Sequence, residues 1–309
     1  MSNSRTKNSI KNITSGLFLK FINIPLQLVI RVIIINYIGI EFIGLNSFML
    51  SIINIITAIE LGFGIAMTQS LYEPIKKKNK AKINEILVSF KYIYNRVGII
   101  VFCLGLIVLP FLNYFKPIND DIDVNIYFVF IIYLFSSLIN FFVYPHKIAL
   151  INAYQKRNIL HNVTIITKTT SALFQILILV LFNDYYLFIL SIIIFPLIRN
   201  LMISYYCSKY YPKLLPVGKV DTSFLKSIFS KTKKVAIHKF GDIALISVDT
   251  ILIVYFLGYK TASIYSNYLY LVTAINTTID VISMSLLASV GNLLVGKNRR
   301  YKLFYKLSI

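Results

Sequence analysis

Acidic residues are scarce in this chain: 12 Asp and Glu stand against 32 Lys and Arg in 309 residues, a formal charge of +20. Such an excess invites a nucleic-acid reading. The distribution argues against it, because the lysines fall in short tracts between long apolar runs rather than on one soluble surface. Cysteine is almost absent. Cys103 lies in one apolar run and Cys207 at the end of another, so there is neither a disulfide framework nor a metal-ligand spacing. His146, His161 and His238 supply no ligand pattern either. Tryptophan is missing, and the Tyr and Phe that make up the aromatic content suit interfaces and lipid-facing packing. No Walker A motif, zinc motif or nucleophile elbow occurs, and no cofactor is implied. Gly62 and Gly64 begin a dinucleotide-like pattern, but the third glycine is missing and no strand precedes them. Small residues in an apolar helix more often allow close helix packing.

What is abundant is hydrophobicity. The chain is 57% hydrophobic and only 14% charged, with a mean hydropathy of +0.72. Soluble domains carry about 25% charged residues. The expected fold is therefore all-α, a polytopic membrane protein. A hydrocarbon core about 30 Å thick takes about 20 helical residues to cross. Eight runs meet that length: Thr14–Ile38, Phe42–Ser70, Ile83–Leu112, Val124–Tyr144, Leu160–Phe182, Leu187–Cys207, Val235–Leu257 and Ala262–Leu294. The first is too long for a cleavable signal and reads as an anchor.

Loop charge sets an orientation. One set of connections carries Lys7 and Lys11, then Lys76, Lys77, Lys78, Lys80 and Lys82, then Lys147, Lys156 and Arg157. It continues with seven lysines between Lys209 and Lys234, and ends with Lys297, Arg299 and Arg300. The alternate set has only Lys116 and Lys260, beside Glu41, Asp120, Asp121, Asp123 and Asp184. The positive-inside rule then puts both termini in the cytoplasm. The outer loops are short, with no room for an extracytoplasmic catalytic domain. The inner segment Lys209–Lys234 contains Pro212, Pro216 and Gly218, and suggests a short surface helix bearing Phe224, Leu225, Ile228 and Phe229.

An internal repeat divides the chain. At an offset of 219 residues, Ile33–Gly39 falls on Leu252–Gly258 and Ile43–Leu50 on Ala262–Leu269. Six spans separate the copies, so they share an orientation, which makes this a parallel repeat. The expected organisation is a six-helix lobe over residues 1–208, a cytoplasmic linker over 209–234, and the first two helices of a second lobe with a tail over 235–309.

Charges inside the spans mark candidate sites, since an ionised side chain at mid-bilayer costs at least about 2.5–3.5 kcal/mol. At about 100° per residue, Gly16, Lys20, Asn23, Gln27 and Arg31 share one face of the first span. A cationic stripe of this kind suits the lining of a cavity for an anion. Snorkelling to the interface is the competing reading for Lys20. Lys168 shares a face with Thr164, Ser171 and Gln175. Glu60, Asp242 and Asp249 read as buried acids, the last two on one face with His238, and Asp280 lies near Thr273, Asn276 and Thr277. They suit either a coupling ion, proton or sodium, or salt bridges to Arg31, Lys20 or Lys239. Lys91, Arg96 and Arg199, the last just after Pro196, read as interfacial.

Several linked motifs carry a resemblance. Arg31, Gly39, the GLNS run Gly44–Ser47, ELGFGIA at Glu60–Ala66 and SLYEP at Ser70–Pro74 stand in the first part. HKFGD at His238–Asp242, VDTILI at Val248–Ile253, YSNY at Tyr265–Tyr268 and SVGNLL at Ser289–Leu294 follow. In this order they resemble the bacterial oligosaccharide-repeat-unit (Wzx-like) flippases of the multidrug/oligosaccharidyl-lipid/polysaccharide exporter superfamily. The resemblance implies a protein of the bacterial cytoplasmic membrane that is not an enzyme. Its substrate would be a polyprenyl-diphosphate-linked oligosaccharide for capsule, O-antigen or exopolysaccharide, surrounded by membrane lipids and other polysaccharide-assembly proteins. On this reading Arg31 and Lys20 hold the pyrophosphate. It also implies a full second lobe of six helices, of which this chain looks about four spans short. The alternatives are a drug or cation exporter of the same superfamily, an inactive fragment, and a membrane glycan polymerase or ligase. An acid-dominated cavity would mark the exporter, and a long outer loop the polymerase.

Overall fold

Several helix ends trace to Gly, Asn or Asp. The computed structural model describes residues 2–60, 63–115, 117, 122–218, 220 and 222–295, and among these there are helices and no strand. Helix α1 (Ser2–Tyr37) ends where Gly39 takes φ 125°, a value side chains avoid, with the Ile38 and Gly39 amides both donating to the Ile34 carbonyl. Helix α2 (Glu41–Thr57) begins with Glu41 in its first turn, where an acid suits the helix dipole, and closes in a 3₁₀ turn at Ala58–Glu60. Helix α3 (Phe63–Lys76) follows. The sequence reads Phe42–Ser70 as one span, whereas the structure divides it. Gly64 stands in the first turn of α3, and a glycine costs a helix about 1 kcal/mol relative to Ala.

Helix α4 (Lys80–Val108) is capped by Asn79, whose side chain accepts from the Lys82 amide at 3.0 Å, and runs on as a 3₁₀ segment to Phe115. Helix α5 (Ile126–Phe142) is capped by Asn125 and joins α6 (Pro145–Ala153) through a 52° bend at Tyr144, which is left-handed with φ 56°. The sequence reads residues 145–159 as a loop. In the structure His146, Ala149, Leu150, Ile151 and Ala153 are buried, and α6 packs on α3 and α8. Helix α7 (Arg157–Phe182) ends at left-handed Asn183, and α8 (Tyr185–Tyr210) is capped by Asp184. Helix α9 (Thr222–Val295) is broken at Gly258 (φ 83°, ψ 173°).

The stretch with Phe224, Leu225 and Ile228 is no separate surface helix. It forms the first turns of α9, with Ile228 fully buried and the Phe224 ring 6.5 Å from that of Phe90 on α4. Among the described residues six helices are long and apolar enough to cross a membrane, or seven if the bent α5–α6 pair is one span. Eight were expected. Two features lower the count. Helix α5 has 17 residues, about 26 Å, just short of a crossing. The expected seventh and eighth spans fall in one stretch, Phe240–Thr277, which Gly258 divides.

The most extensive helix pairing is α2 against α9. A Cβ on Gly44 would lie 2.0 Å from the Tyr259 carbonyl oxygen, so only glycine allows this approach. Ser263 Oγ in turn donates to the Ile40 carbonyl at 2.5 Å. At the 219-residue offset Gly44 corresponds to Ser263 and Ile40 to Tyr259. The same backbone approach is therefore made twice, once from each copy, and the positive-φ glycines Gly39 and Gly258 also correspond.

Candidate functional site

A cavity of about 440 Å³ lies among α1, α2, α5, α7 and α8. Helix α1 contributes Gln27 and Arg31, one turn apart, and α7 contributes Lys168, Ser171 and Gln175, again at helical spacing. Helix α8 adds Ser191 and Arg199, eight residues apart on one face. Asn46 of α2 and Tyr133 of α5 complete the polar wall.

The polar groups are held mostly by one another. Tyr133 and Tyr185 donate to the Asn46 side-chain oxygen at 2.8 and 2.6 Å. Gln175 Nε2 donates to Ser191 Oγ at 2.6 Å. Arg199 donates through Nε to Thr164 Oγ1 at 3.0 Å and through Nη1 to Asn200 Oδ1 at 3.0 Å. Arg31 donates through Nη1 to Ser266 Oγ at 3.3 Å and to the Asn267 side-chain oxygen, and its guanidinium lies 5.0 Å from the centre of the Tyr270 ring. Tyr270 in turn donates to the Ile24 carbonyl of α1 at 3.2 Å. Arg31 thus ties α1 to the part of α9 beyond Gly258.

Every cation in this wall has neutral partners or none. Lys168 is exposed to the cavity, has no ion-pair partner among the described residues, and lies within electrostatic reach of Lys20 and Arg199. The ion pairs among the described residues are Lys77–Glu73 at 2.6 Å and Lys82–Glu85 at 3.0 Å, both outside the cavity. No carboxylate among the described residues lines it. Three positive charges in a low-dielectric setting without a counter-charge attract an anion strongly.

Four of the six residues singled out for substrate come together here: Arg31, Gln27, Lys168 and Gln175. Lys20 and Asn23 do not line this wall. Lys20 borders a mainly apolar hollow on α1's own surface with Phe18 and Pro25, and the Asn23 side-chain oxygen is buried without a partner among the described residues. Arg199, read from sequence as interfacial, is a cavity residue. Its eight-residue spacing from Ser191 is the signal that would have found it. Lys91 and Arg96 are exposed elsewhere, Arg96 against the Tyr92 ring.

The acids part company. Glu60 is half-buried at the α2–α3 break, its carboxylate facing the Tyr94 hydroxyl, a hydrogen-bond donor. Asp242 and Asp249, expected to be buried, are both exposed, and Asp249 accepts from Tyr265 at 3.4 Å. The exposure follows from register: the buried face of α9 here carries Ser247, Thr250 and Val254 instead. The side chains of Asp280, His238 and Lys239 lie outside what the structure describes. No carboxylate among the described residues bridges Arg31 or Lys20.

A set of long apolar helices around a polar, cationic hollow defines a multi-pass α-helical membrane protein with an internal cavity. More particularly, the chain belongs to the polysaccharide biosynthesis protein family, whose profile matches residues 9–287. This is a family of polysaccharide flippases and exporters, and membership gives the chain a role in polysaccharide export. No curated protein and no solved structure matches it.

Proposed function

We propose that this protein moves a polyprenyl-diphosphate-linked oligosaccharide across the bacterial cytoplasmic membrane, from the inner to the outer leaflet, for capsule, O-antigen or exopolysaccharide assembly. The observation that carries the reading is the trio Arg31, Lys168 and Arg199 around one cavity with no lining acid among the described residues. A diphosphate cannot cross hydrocarbon bare, because burying an uncompensated charge costs many kcal/mol. Guanidinium groups offset this with charge-assisted, often bidentate, contacts to phosphate oxygens. Gln27, Ser171 and Gln175 supply neutral donors and acceptors for sugar hydroxyls, while the polyprenyl tail stays in the bilayer. A drug or cation exporter would call for carboxylates where this cavity has cations.

Residues 1–208 act as one lobe and those after 234 as the start of a second, and rocking between lobes exposes the cavity to each side in turn. Among the described candidate acids Glu60 is the best placed to bind a coupling proton or sodium ion, being half-buried where Asp242 and Asp249 are exposed. Both termini face the cytoplasm, in keeping with the lysine-rich turns.

Binding is the direct test. The purified chain in lipid nanodiscs is titrated with a polyprenyl diphosphate and with the matching polyprenol. The diphosphate is expected to bind at least tenfold more tightly. Lys168→Ala and Arg199→Ala should each weaken it about tenfold, the scale of one lost hydrogen bond to a charged group. Equal affinity for the two lipids, or tighter binding of a cationic amphiphile, would overturn the reading.

A further inference from the structure

A second cavity, of about 450 Å³, lies at one end of the bundle and takes no part in the site above. Three separate turns build it. The α3–α4 turn brings Lys78 and Lys80, the α6–α7 turn brings Tyr154, and the segment after α8 brings Tyr211 and Lys213. These are three of the lysine-bearing connections that loop charge assigns to one side of the membrane, so the fold has gathered them at one place.

Its chemistry is specific. The Tyr154 and Tyr211 rings stack with centroids 4.2 Å apart. Lys156 lies over this aromatic floor, its ammonium 4.8 Å from the Tyr210 centroid and 5.9 Å from that of Tyr211. The Tyr211 hydroxyl is buried and has no hydrogen-bond partner among the described residues. Burial first, and the neighbouring Tyr154 phenol second, push its pKa up, so it is a donor at neutral pH. Leaving such a group unpaired is unfavourable, and a ligand oxygen would satisfy it. The cavity also opens at the N-terminus of the 29-residue α4, the positive end of its dipole. The nearby acids are already engaged, Glu73 with Lys77 and Glu85 with Lys82.

We infer that this cavity binds the phosphodiester headgroup of an anionic phospholipid. Lys78, Lys80 and Lys213 surround the phosphate, and Tyr211 donates to one of its oxygens. A lipid is favoured over free phosphate for two reasons. The volume is many times the roughly 30 Å³ share of one water, more than a lone ion requires. Beside the lysines the wall is apolar, with Ile75, Ile83 and Leu214, where a glycerol and the start of an acyl chain fit. Basic pockets between membrane helices on the cytoplasmic side take such headgroups.

The test is native mass spectrometry of the detergent-purified chain, titrated with phosphatidylglycerol, phosphatidylcholine or inorganic phosphate. A lysine lining the headgroup site contributes roughly fivefold in affinity for an anionic lipid, and one that water separates from the headgroup contributes much less. Lys78→Ala/Lys213→Ala should therefore weaken phosphatidylglycerol by at least about tenfold, and Tyr211→Phe, which keeps the ring stack, by about threefold. The charge-matched double variant Lys76→Ala/Lys209→Ala alters exposed lysines outside the cavity and should stay within about twofold. Three results would overturn the assignment. Equal loss in the two double variants would show diffuse charge attraction. Phosphatidylcholine held as tightly as phosphatidylglycerol would remove the charge selectivity. Full displacement of lipid by millimolar inorganic phosphate would make the site a free-anion site.

Discussion

Among the described residues Arg31 meets neutral groups only, and this decides how it should respond to mutation. Its repeat-related depth invites a salt bridge with Asp249, because Ile30 corresponds to Asp249 and Arg31 to Thr250 at the 219-residue offset. The structure instead gives Arg31 to Ser266, Asn267 and Tyr270, and Asp249 to Tyr265. In unfolding measured in mixed micelles, Arg31→Ala and Asp249→Ala should be additive within about 0.5 kcal/mol. Arg31→Ala and Asn267→Ala share a contact and should couple by about 0.5–3 kcal/mol. Coupling above about 1 kcal/mol in the Asp249 cycle would mean that the two charges do pair. The same residues show what sequence makes legible. Gln27 with Arg31, and Lys168 with Gln175, are found because polar groups recur at helical spacing in apolar runs. Arg199 is not, because the helix break expected at Pro196 draws an interfacial reading, although the residue lies mid-span. Asp242 and Asp249 mislead in the opposite sense: a helix face can be inferred from spacing, but which face the neighbouring helices cover cannot.

At the scale of the element, helix identity follows from apolar runs and their ends from glycine, asparagine and proline. Gly39, Asn79, Asn125, Asn183 and Asp184 all stand where a helix begins or ends. What spacing does not reveal is how a helix break is used. The α2–α3 break falls inside one continuous apolar run, and α6 hides among charges that read as a loop, its Ile148–Ala153 stretch being too short to stand out. Glycine illustrates the difference between a motif and its reason. Gly44 permits contact with the Tyr259 carbonyl, whereas a Cβ on Gly64 would meet its nearest neighbour, the Tyr94 hydroxyl, at an ordinary 3.4 Å. Gly44→Ala should therefore force α2 and α9 apart and destabilise the protein by about 1–3 kcal/mol. Gly64→Ala, which creates no backbone clash and gains helix propensity, should be neutral or stabilising by up to about 1 kcal/mol. Melting temperatures in detergent would compare them. Equal behaviour of the two variants would remove the close α2–α9 approach from the account of stability.

For the whole molecule, the remaining question is which end of the bundle faces the cytoplasm. Loop charge proposes an answer from sequence, and the fold adds that Lys78 and Lys80, with Lys213 from far along the chain, line one cavity at one end. Self-repulsion of so many cations is tolerable where water and anionic headgroups screen them, and the cytoplasmic surface offers both. Helix α4 provides a clean test because one element joins the two sides. Its 29 residues span about 43 Å, more than the hydrocarbon thickness, with Lys76 just before its start and Tyr114, which is 74% exposed, beyond its end. Lys76→Cys and Tyr114→Cys, each in a variant with Cys103 and Cys207 replaced by Ala, are treated on intact cells with a membrane-impermeant maleimide. Only Tyr114→Cys should label, and Lys76→Cys should label once the membrane is opened. Outside labelling at position 76 alone would invert the protein. Labelling at both positions would mean that α4 does not cross the membrane at all, and it would dismantle the cavity argument with it, since Arg31, Lys168 and Arg199 would then have no hydrocarbon barrier to carry an anion through.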